Sequence, residues 1–449
     1  MQVPEIDLKI GIEVYATRTK GIDGKIRQKP EDFIVEEILR NGLVATVNLA
    51  EEMKTQVRGG GPHLVCILIK RGWDTLLVTK EIAFRLGIHP RAINIAGMKD
   101  AKAVTAQYIS ILGVKPESIK EVKIENAKII PLKFSRNPLS HKDLWGNKFK
   151  IVVRDVEKDK EKIWSNVNKI MRELEELGGN PNFYAYQRFG TLRPITHEVG
   201  RNIVKRRYKD AIMVFLSECS NAEREEIRNA RKILKETEDY RKALKVFPKH
   251  LVYERVMLKH LAKKPKDYIG ALRRLPKKLL KLFVNAYQSY LFNKTLSLRM
   301  KRGISLKKPQ EGDYIVKLDK NGLPDWKQVI RVDNQKTKKL VDIGEARLVL
   351  PIIGYKQKVL GEIQREVLEV EEVKPEDFKI GKLPEASSPG GFRVATMIPY
   401  SFRVEEIGDD ELNEKRMKVT LSFKLVKGSY ATTLLREIMK PKNPLESGF

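Results

Sequence analysis

The sequence of 449 residues is poor in the features on which several classes of protein depend. It contains two cysteines, Cys66 and Cys219, which excludes a disulfide framework and a thiolate metal centre. It contains no run of about 18 apolar residues, so it predicts no membrane-spanning helix. The first residues, MQVPEIDLKI, lack the basic and then apolar pattern of a secretion signal. These absences together predict a protein of the reducing cytoplasm.

Sequence motifs for cofactors and metals are also missing. There is no G-x-x-x-x-G-K-[ST] phosphate loop, and no glycine-rich turn joins a strand to a helix as in a dinucleotide or adenosylmethionine pocket. No G-x-S-x-G elbow for a nucleophilic serine occurs. The six histidines lack the i+3 or i+4 spacing that places two metal ligands on one helix face. We therefore expect an activity that uses neither a metal nor a nucleotide cofactor.

Positive charge is what the sequence has in excess. Lys and Arg number 87 against 58 Asp and Glu, which gives a formal net charge of +29. Residues 261–310 hold fourteen bases and one acid, whereas residues 361–377 hold seven acids and two bases. Proteins of thermophiles are also rich in charge, but they gain both signs together. A segregated excess that runs along the whole chain favours a nucleic-acid partner over a membrane surface.

Apolar periodicity predicts strands and helices without a regular alternation of the two. Short branched or alternating runs predict strands at 64–70, 93–97, 105–112, 148–156, 346–354, 359–363 and 418–426. The clearest predicted helix is 278–300, with Leu280, Phe283, Tyr287 and Leu291 on its core side. This mixture favours an α+β fold over a doubly wound sheet.

The segment GMKDAKAVTAQ at 97–107 contains the first candidate for chemistry. Asp100 follows Lys99 after an apolar strand, and a run of small residues leads to the next strand. In an active site, the neighbouring lysine would hold this carboxylate ionised and available as a nucleophile at neutral pH. The same aspartate also fits a turn residue that bonds its own backbone. Composition alone favours the turn interpretation.

The segment PNFYAYQRFG at 181–190 contains the second candidate. Four aromatic rings stand beside Asn182, Gln187 and Arg188, just after a predicted helix that ends in two glycines. Rings combined with an arginine are typical of a surface on which a splayed-out RNA base is stacked. A small cluster of packed aromatic side chains has the same composition. The segment alone does not separate these two interpretations.

Five segments together resemble the TruD family of tRNA pseudouridine synthases, in its archaeal form. They are KPEDFIVEEI at 29–38, GMKDAKAVTAQ at 97–107, PNFYAYQRFG at 181–190, NAYQSYLFNKTLSLR at 285–299 and LVKGSYATTLLREIMK at 425–440. They fall in the family's order and extend over most of the chain. The resemblance implies isomerisation of uridine to pseudouridine in tRNA, with position 13 as the typical target and no cofactor.

The resemblance also implies roles for individual residues. Asp100 matches the aspartate that the family uses as its nucleophile, and Lys99 would help its charge or contact a phosphate. Tyr184 matches the aromatic residue on which the target base stacks, with Asn182 as a nearby hydrogen-bonding group. Arg27 matches a basic residue that contacts a phosphate or the nucleophile.

Three of the matched positions depart from the family's pattern. Tyr184 stands where the family has Phe, Ala185 where it has Gly, and Arg27 where some members have Lys. The tyrosine keeps the ring needed for stacking, and the arginine keeps the charge and gains a planar fork. With these changes, Arg27, Lys99, Asn182, Tyr184 and Arg188 remain the candidate substrate-binding residues.

The family's architecture implies a catalytic α+β domain with a mixed, largely antiparallel sheet, interrupted by an inserted α/β domain. Residues 1–194 and 387–449 would form the catalytic domain, and residues 195–386 the insertion. The run PEASSPGG at 384–391 has the composition of a linker and falls at the expected return point. RNA would lie in a basic cleft between the domains. No exposed apolar stripe remains for a dimer interface, so a monomer is expected.

Two other functions remain open from the sequence. A non-catalytic RNA-binding or ribosome-assembly protein is compatible with the same fold, and it predicts that Asp100→Ala leaves RNA binding and cellular function intact. An RNA methyltransferase is compatible with the basic surface, and it predicts that adenosylmethionine binds and raises the melting temperature.

Overall fold

The computed structural model describes residues 2–48, 57–157, 159–357 and 359–449. The strands, in chain order, are β1 (Phe33–Leu39), β2 (His63–Arg71), β3 (Ile93–Ile95), β4 (Val104–Leu112), β5 (Ala127–Ser135), β6 (Leu144–Val156), β7 (Asn180–Pro181), β8 (Tyr314–Leu318), β9 (Pro324–Arg331), β10 (Ala346–Ile352), β11 (Gly391–Val394), β12 (Thr396–Met397), β13 (Tyr400–Asp409) and β14 (Met417–Val426).

The α-helices, in chain order, are α1 (Glu5–Lys9), α2 (Thr75–Arg85), α3 (Pro116–Lys120), α4 (Lys160–Glu176), α5 (Thr196–Val204), α6 (Tyr208–Ser217), α7 (Glu225–Thr237), α8 (Tyr240–Val246), α9 (Val252–Leu261), α10 (Tyr268–Leu272), α11 (Lys277–Lys301), α12 (Gln335–Asp342), α13 (Glu362–Val370) and α14 (Ala431–Met439). The described part of the chain has no helix with the length and apolar character that a membrane crossing requires.

The largest sheet has eight strands drawn from both ends of the chain. Seven follow the order β13-β14-β6-β1-β4-β2-β5, and β3 pairs with β4 beside this path. β1 and β4 run parallel, whereas the other neighbouring pairs are antiparallel. The prediction of an α+β fold with a mixed, largely antiparallel sheet is confirmed. In β14 the alternating residues Val419, Leu421, Phe423 and Leu425 are all buried, as their period of two predicts.

A second, four-stranded antiparallel sheet has the order β11-β10-β8-β9. Three of its strands lie in the region predicted as the insertion, and the fourth, β11, begins at the last residue of the linker 384–391. The return from the inserted region thus passes through the edge of its own sheet. We propose 1–194 with 387–449 and 195–386 as the two domains, and their exact boundaries stay a prediction.

The long helix α11 connects two hydrophobic cores. One core joins the large sheet to residues from both chain ends, and the other consists of the helices between residues 199 and 386. All four residues that were predicted on the core side of α11 are buried in the helical core: Leu280, Phe283, Tyr287 and Leu291. A neighbouring face of the same helix, with Phe292 and Leu296, packs into the first core. Burial on two sides fixes how the two bodies sit against each other.

Two predictions of local structure were wrong. The run 359–363 was predicted as strand, but Gly361 is the N-cap of α13, because Ile363, Val367 and Leu368 bury one face at helical spacing. Residues 1–60 are the second case, because no helix or strand is predicted there, yet their described part contains α1 and the central strand β1. Residues 49–56 of that segment lie outside the described residues.

A buried ion cluster ties the first helix to the last. The Arg436 guanidinium in α14 donates to Asp7 (2.7 Å) and to Glu437 (2.9 Å), and the Tyr186 hydroxyl donates to Asp7 (2.5 Å). Arg436, Asp7 and Glu437 are almost completely buried. Burial alone would lower the pKa of Arg436, but the charges of Asp7 and Glu437 raise it above its ordinary value. The cluster is therefore charged inside the core, and each member depends on the others.

We expect Arg436→Met to destabilise the protein by about 3–5 kcal/mol, because it leaves two buried carboxylates without their counter-charge. The free energy of unfolding in urea measures this. Lys9→Met is the matched control, since Lys9 and Glu5 form an exposed pair at 2.8 Å, and it should leave the urea midpoint unchanged. Equal effects of the two substitutions would contradict the role given to the buried cluster.

Candidate active site

The parallel pairing of β1 with β4 places the starts of both strands at one end of the sheet, where the candidate site lies. Ile34 stands opposite Val104, so the chain enters both strands from the same side of the sheet. Arg27 lies shortly before β1, and Asp100 lies in the loop between β3 and β4. The two segments converge on a cleft, called the Asp100 cleft below, which is lined by Arg27, Phe33, Met98, Asp100, Gln187 and Tyr430 among others.

Arg27 and Asp100 form the ion pair at the base of this cleft. The guanidinium of Arg27 donates to Oδ2 of Asp100 at 2.8 Å and to the backbone oxygen of Gly448 at 2.9 Å. It also lies 4.2 Å from the ring centroid of Phe33, the first residue of β1. Arg27 has a φ of 59°, a left-handed conformation that arginine rarely adopts, which turns its side chain back toward Asp100. The burial of Arg27 lowers its pKa, while the neighbouring Asp100 opposes that shift.

The second oxygen of Asp100 is held by a residue that sequence reasoning did not assign to the site. The amide nitrogen of Gln187, in the aromatic segment 181–190, donates to Oδ1 at 3.1 Å. The Asp100 side chain remains 35% exposed, so both oxygens are oriented while the carboxylate still faces the cleft. The composition of the segment contained the only sequence signal, a polar amide among rings. A carboxylate held by two donors and open to a cleft is suited to attack a bound molecule.

Lys99 does not meet Asp100. Its ammonium points into the sheet and contacts Oε1 of Glu37 at 2.5 Å, in a pair that is almost fully buried. The other oxygen of Glu37 accepts the backbone N–H of Tyr108 at 2.8 Å. The charge that the sequence analysis expected from Lys99 is supplied by Arg27 instead, because consecutive residues of the loop point to opposite sides.

Lys70 supports the Asp100 loop from below and was missed from the sequence. It is fully buried near the end of β2, and its ammonium donates to the backbone oxygens of Asp100 (2.9 Å) and Trp73 (2.7 Å). Burial lowers the pKa of Lys70 to about 8, against the opposing charges of Asp100 and Asp74. Its signal in the sequence is a lysine at the end of the otherwise apolar run LVCILIK.

Tyr184 lies in a neighbouring cleft, which is called the Trp326 cleft and is lined by Asn182, Tyr184, Arg393, Trp326 and Ser429 among others. Its backbone N–H donates to Asn293 in α11 at 2.8 Å. The edge of its ring packs against Phe292, and the Tyr430 ring lies 6.4 Å away. The guanidinium of Arg393 lies 4.1 Å from the centroid of the Tyr184 ring. One face of the predicted stacking platform is thus covered by a cation.

Asn182 and Arg188 have structural partners within the protein. The amide of Asn182 donates to the Val394 oxygen at 3.1 Å and accepts from Arg393 at 2.7 Å. Arg188 donates to the Ser289 hydroxyl at 3.0 Å, and its guanidinium carbon lies 5.6 Å from the Tyr184 ring. Both therefore brace the aromatic segment that carries Tyr184.

The structure brings the two predicted halves of the site side by side. Ser429 lines both clefts, and the next residue, Tyr430, connects the Asp100 cleft to Tyr184. These residues belong to the turn between β14 and α14, in the C-terminal segment 425–440. Among the residues that the structure describes, no group of three or more His, Cys, Asp or Glu side chains is arranged to hold a metal ion.

Comparisons with known proteins agree over almost the whole chain. Residues 9–438 match the family model of tRNA pseudouridine synthase D (TruD). A curated protein of Methanosarcina acetivorans, described as a probable tRNA pseudouridine synthase D, is 39% identical over 448 residues, which is 98% of each chain. One of Archaeoglobus fulgidus with the same description is 38% identical over 436 residues, covering 96% of this chain and 98% of its own.

The fold has a counterpart among solved structures. A crystal structure from Methanosarcina mazei, described as a putative tRNA pseudouridine synthase D (TruD), superposes with a TM-score of 0.84 at 38% identity. The match covers 99% of this chain and 100% of that chain.

We expect Lys70→Met to loosen the loop around Asp100 without unfolding the sheet. Each charge-assisted hydrogen bond lost is worth about 1.5–3 kcal/mol, so amide hydrogen exchange in residues 97–103 should rise about tenfold or more. Lys80→Met, at an exposed lysine of α2, is the control. Unchanged exchange in Lys70→Met would refute this role.

Proposed function

Because the chain belongs to the TruD family of tRNA pseudouridine synthases, we propose that it converts uridine 13 of tRNA to pseudouridine with Asp100 as the attacking carboxylate. The observation that carries this proposal is the arrangement of Asp100. Arg27 and Gln187 each hold one of its oxygens, and the carboxylate opens onto a cleft that continues to an aromatic platform.

The reaction is an isomerisation, so no atom needs to be supplied from outside. The N1–C1′ bond breaks, the uracil turns, and C5 bonds to C1′; C5 then loses its proton while N1 becomes protonated. Asp100 assists by bonding transiently to the ribose or to the base. In either case Arg27 orients the carboxylate for attack and stabilises it again when that bond breaks.

The target uridine must leave its stack before Asp100 can reach it. We propose that the uracil is received beside Tyr184, at the junction of the Asp100 cleft and the Trp326 cleft. Arg393 already covers one face of the Tyr184 ring at 4.1 Å. A stacked uracil therefore uses the opposite face, or exchanges places with the guanidinium, which then remains beside the base.

The remaining predicted site residues act on this arrangement indirectly in our proposal. Asn182 and Arg188 hold the segment of Tyr184, since their side chains bond to Val394, Arg393 and Ser289. Lys99 supports the loop through its buried ion pair with Glu37. Its ammonium would have to break that pair to reach a phosphate.

We expect Asp100→Asn to lower pseudouridine formation at least about a thousandfold, because the amide lacks the nucleophilic charge but keeps the shape. Release of tritium from [5-³H]uridine in a tRNA transcript measures the rate, and a transcript with cytidine at position 13 tests the target. Asp409→Asn, an exposed carboxylate of β13, is the control and should react at the parental rate.

Binding distinguishes the enzyme from a non-catalytic RNA-binding protein. Asp100→Asn should bind tRNA within about threefold of the parent, since Asp100 makes no attractive contact with phosphates. Isomerisation by the variant at the parental rate would refute the nucleophile assignment. A parent protein that binds tRNA but forms no pseudouridine would refute the proposed function itself.

We also expect tRNA affinity to fall linearly with salt on logarithmic axes, at a slope of roughly 0.7 per contacted phosphate. Lys277 and Lys278, exposed at the start of α11 in the basic stretch 261–310, are the positions to test. Replacing both with alanine should reduce the slope by about 1.4 if each contacts one phosphate. Lys374→Ala, in the acidic segment 361–377, should leave the slope unchanged, and a flat salt response of the parent would contradict the electrostatic account.

A further inference from the structure

The Trp326 cleft extends well beyond Tyr184 and contains aromatic rings that the proposed reaction does not use. Trp326 lies on β9 of the inserted sheet and is 52% exposed. Phe392 on β11 and Tyr400 on β13 line the same cleft. Its walls therefore come from both sheets. A large aromatic side chain that stays half in solvent at the mouth of a cleft is a common feature of binding sites.

The wall opposite Trp326 is rigidly braced. The indole nitrogen of Trp145, on β6, donates to the backbone oxygen of Asn321 at 2.9 Å, and its ring packs 5.7 Å from that of Tyr400. Arg40 forms an ion pair with Asp319 at 2.9 Å, again across the two domains. These contacts hold the two sheets apart at a fixed spacing, so the cleft is preformed.

The charged side chains that line the cleft directly are all cationic. Its lining contains four cationic side chains, namely Arg40, Arg347, Arg393 and Lys427, and among the described residues no Asp or Glu lines it. Burial lowers the pKa of Lys427 and the nearby charge of Arg40 adds to this shift, while Asp319 and Asp143, which lie outside the lining, oppose it. By contrast, a cleft near Asp23 on another side of the molecule is lined by acids as well as bases. Rings and cations without acids are the chemistry that binds nucleotides: bases stack and phosphates pair.

We propose that the Trp326 cleft binds the base of a second unpaired nucleotide, next to the target uridine on the same RNA strand. This inference rests on the proposed function. Ser429 lines both clefts, so a strand whose uridine lies at Asp100 places its neighbour at the mouth of the Trp326 cleft. The neighbouring base stacks on Trp326, and Arg347 and Lys427 face the phosphate that joins the two nucleotides. The enzyme thereby selects uridines in RNA that can release two adjacent bases.

The test uses Trp326→Ala and Trp326→Phe, with Trp164→Ala as the matched control, because Trp164 is equally exposed (53%) but lies on α4. Removing a stacking ring should weaken RNA binding roughly 5- to 150-fold. We expect kcat/KM to fall by such a factor in Trp326→Ala, with kcat at saturating tRNA nearly unchanged. Trp326→Phe should recover most of the loss, and Trp164→Ala should match the parent.

Abasic substitutions identify the base that is bound. tRNAs lacking the base on the 5′ or on the 3′ side of the target are titrated against the Asp100→Asn protein, with and without Trp326→Ala, and affinity is measured by filter binding. In the protein that retains Trp326, one of the two abasic tRNAs should bind more weakly than intact tRNA. In the protein that also carries Trp326→Ala, that abasic tRNA and intact tRNA should bind with equal affinity.

Two results would overturn the inference. One is Trp326→Ala with kcat/KM within twofold of Trp164→Ala while the parent is active. The other is an abasic penalty that is independent of Trp326. The titrations with abasic tRNA use the Asp100→Asn protein, which lacks the proposed nucleophile. Their result is therefore informative even if the parent protein forms no pseudouridine. Failure of the proposed function and failure of the second nucleotide site are thereby separated.

Discussion

The parallel pairing of β1 with β4 is the constraint on which the candidate active site depends. In an otherwise antiparallel sheet, this pairing brings the segments that precede two strands to the same end of the sheet. Arg27 and Asp100 meet there at 2.8 Å although they are far apart in sequence. The left-handed backbone at Arg27, the buried Lys70 beneath the loop and the amide of Gln187 then fix a single orientation of the carboxylate. Orientation of this kind is what a displacement at a bound nucleotide requires.

The rest of the fold surrounds this edge with segments from distant parts of the chain. β14 pairs with β6, and α14 is joined to α1 by the buried ions of Arg436 and Asp7, so the C-terminal segment delivers Ser429 and Tyr430 to the cleft. The inserted region returns through β11, which carries Arg393 to the face of Tyr184. The cleft between the two sheets is thus a consequence of the insertion, and four basic side chains line it.

Much of the fold class and part of the site could be predicted from the sequence. The alternation in 418–426 and the apolar face of α11 are local patterns, and the structure has both. Asp100, Tyr184 and Arg27 were proposed from motifs in fixed order, and their roles stay predictions. The partners of these residues could not be found, because sheet order determines them: Lys99 turns to Glu37, and Asp100 turns to Gln187. Lys70 looked like the end of an apolar strand, and the start of α13 was taken for a strand because the apolar residues Val359 and Leu360 stand just before it.

The most direct test of this account is a structure of the Asp100→Asn protein bound to tRNA. The account predicts uridine 13 outside its stack, beside Tyr184, with C1′ or C6 within about 3.5 Å of the side chain at position 100, the distance of a near-attack geometry. A complex in which uridine 13 stays stacked in the RNA, or in which a different residue faces the glycosidic bond, would contradict it.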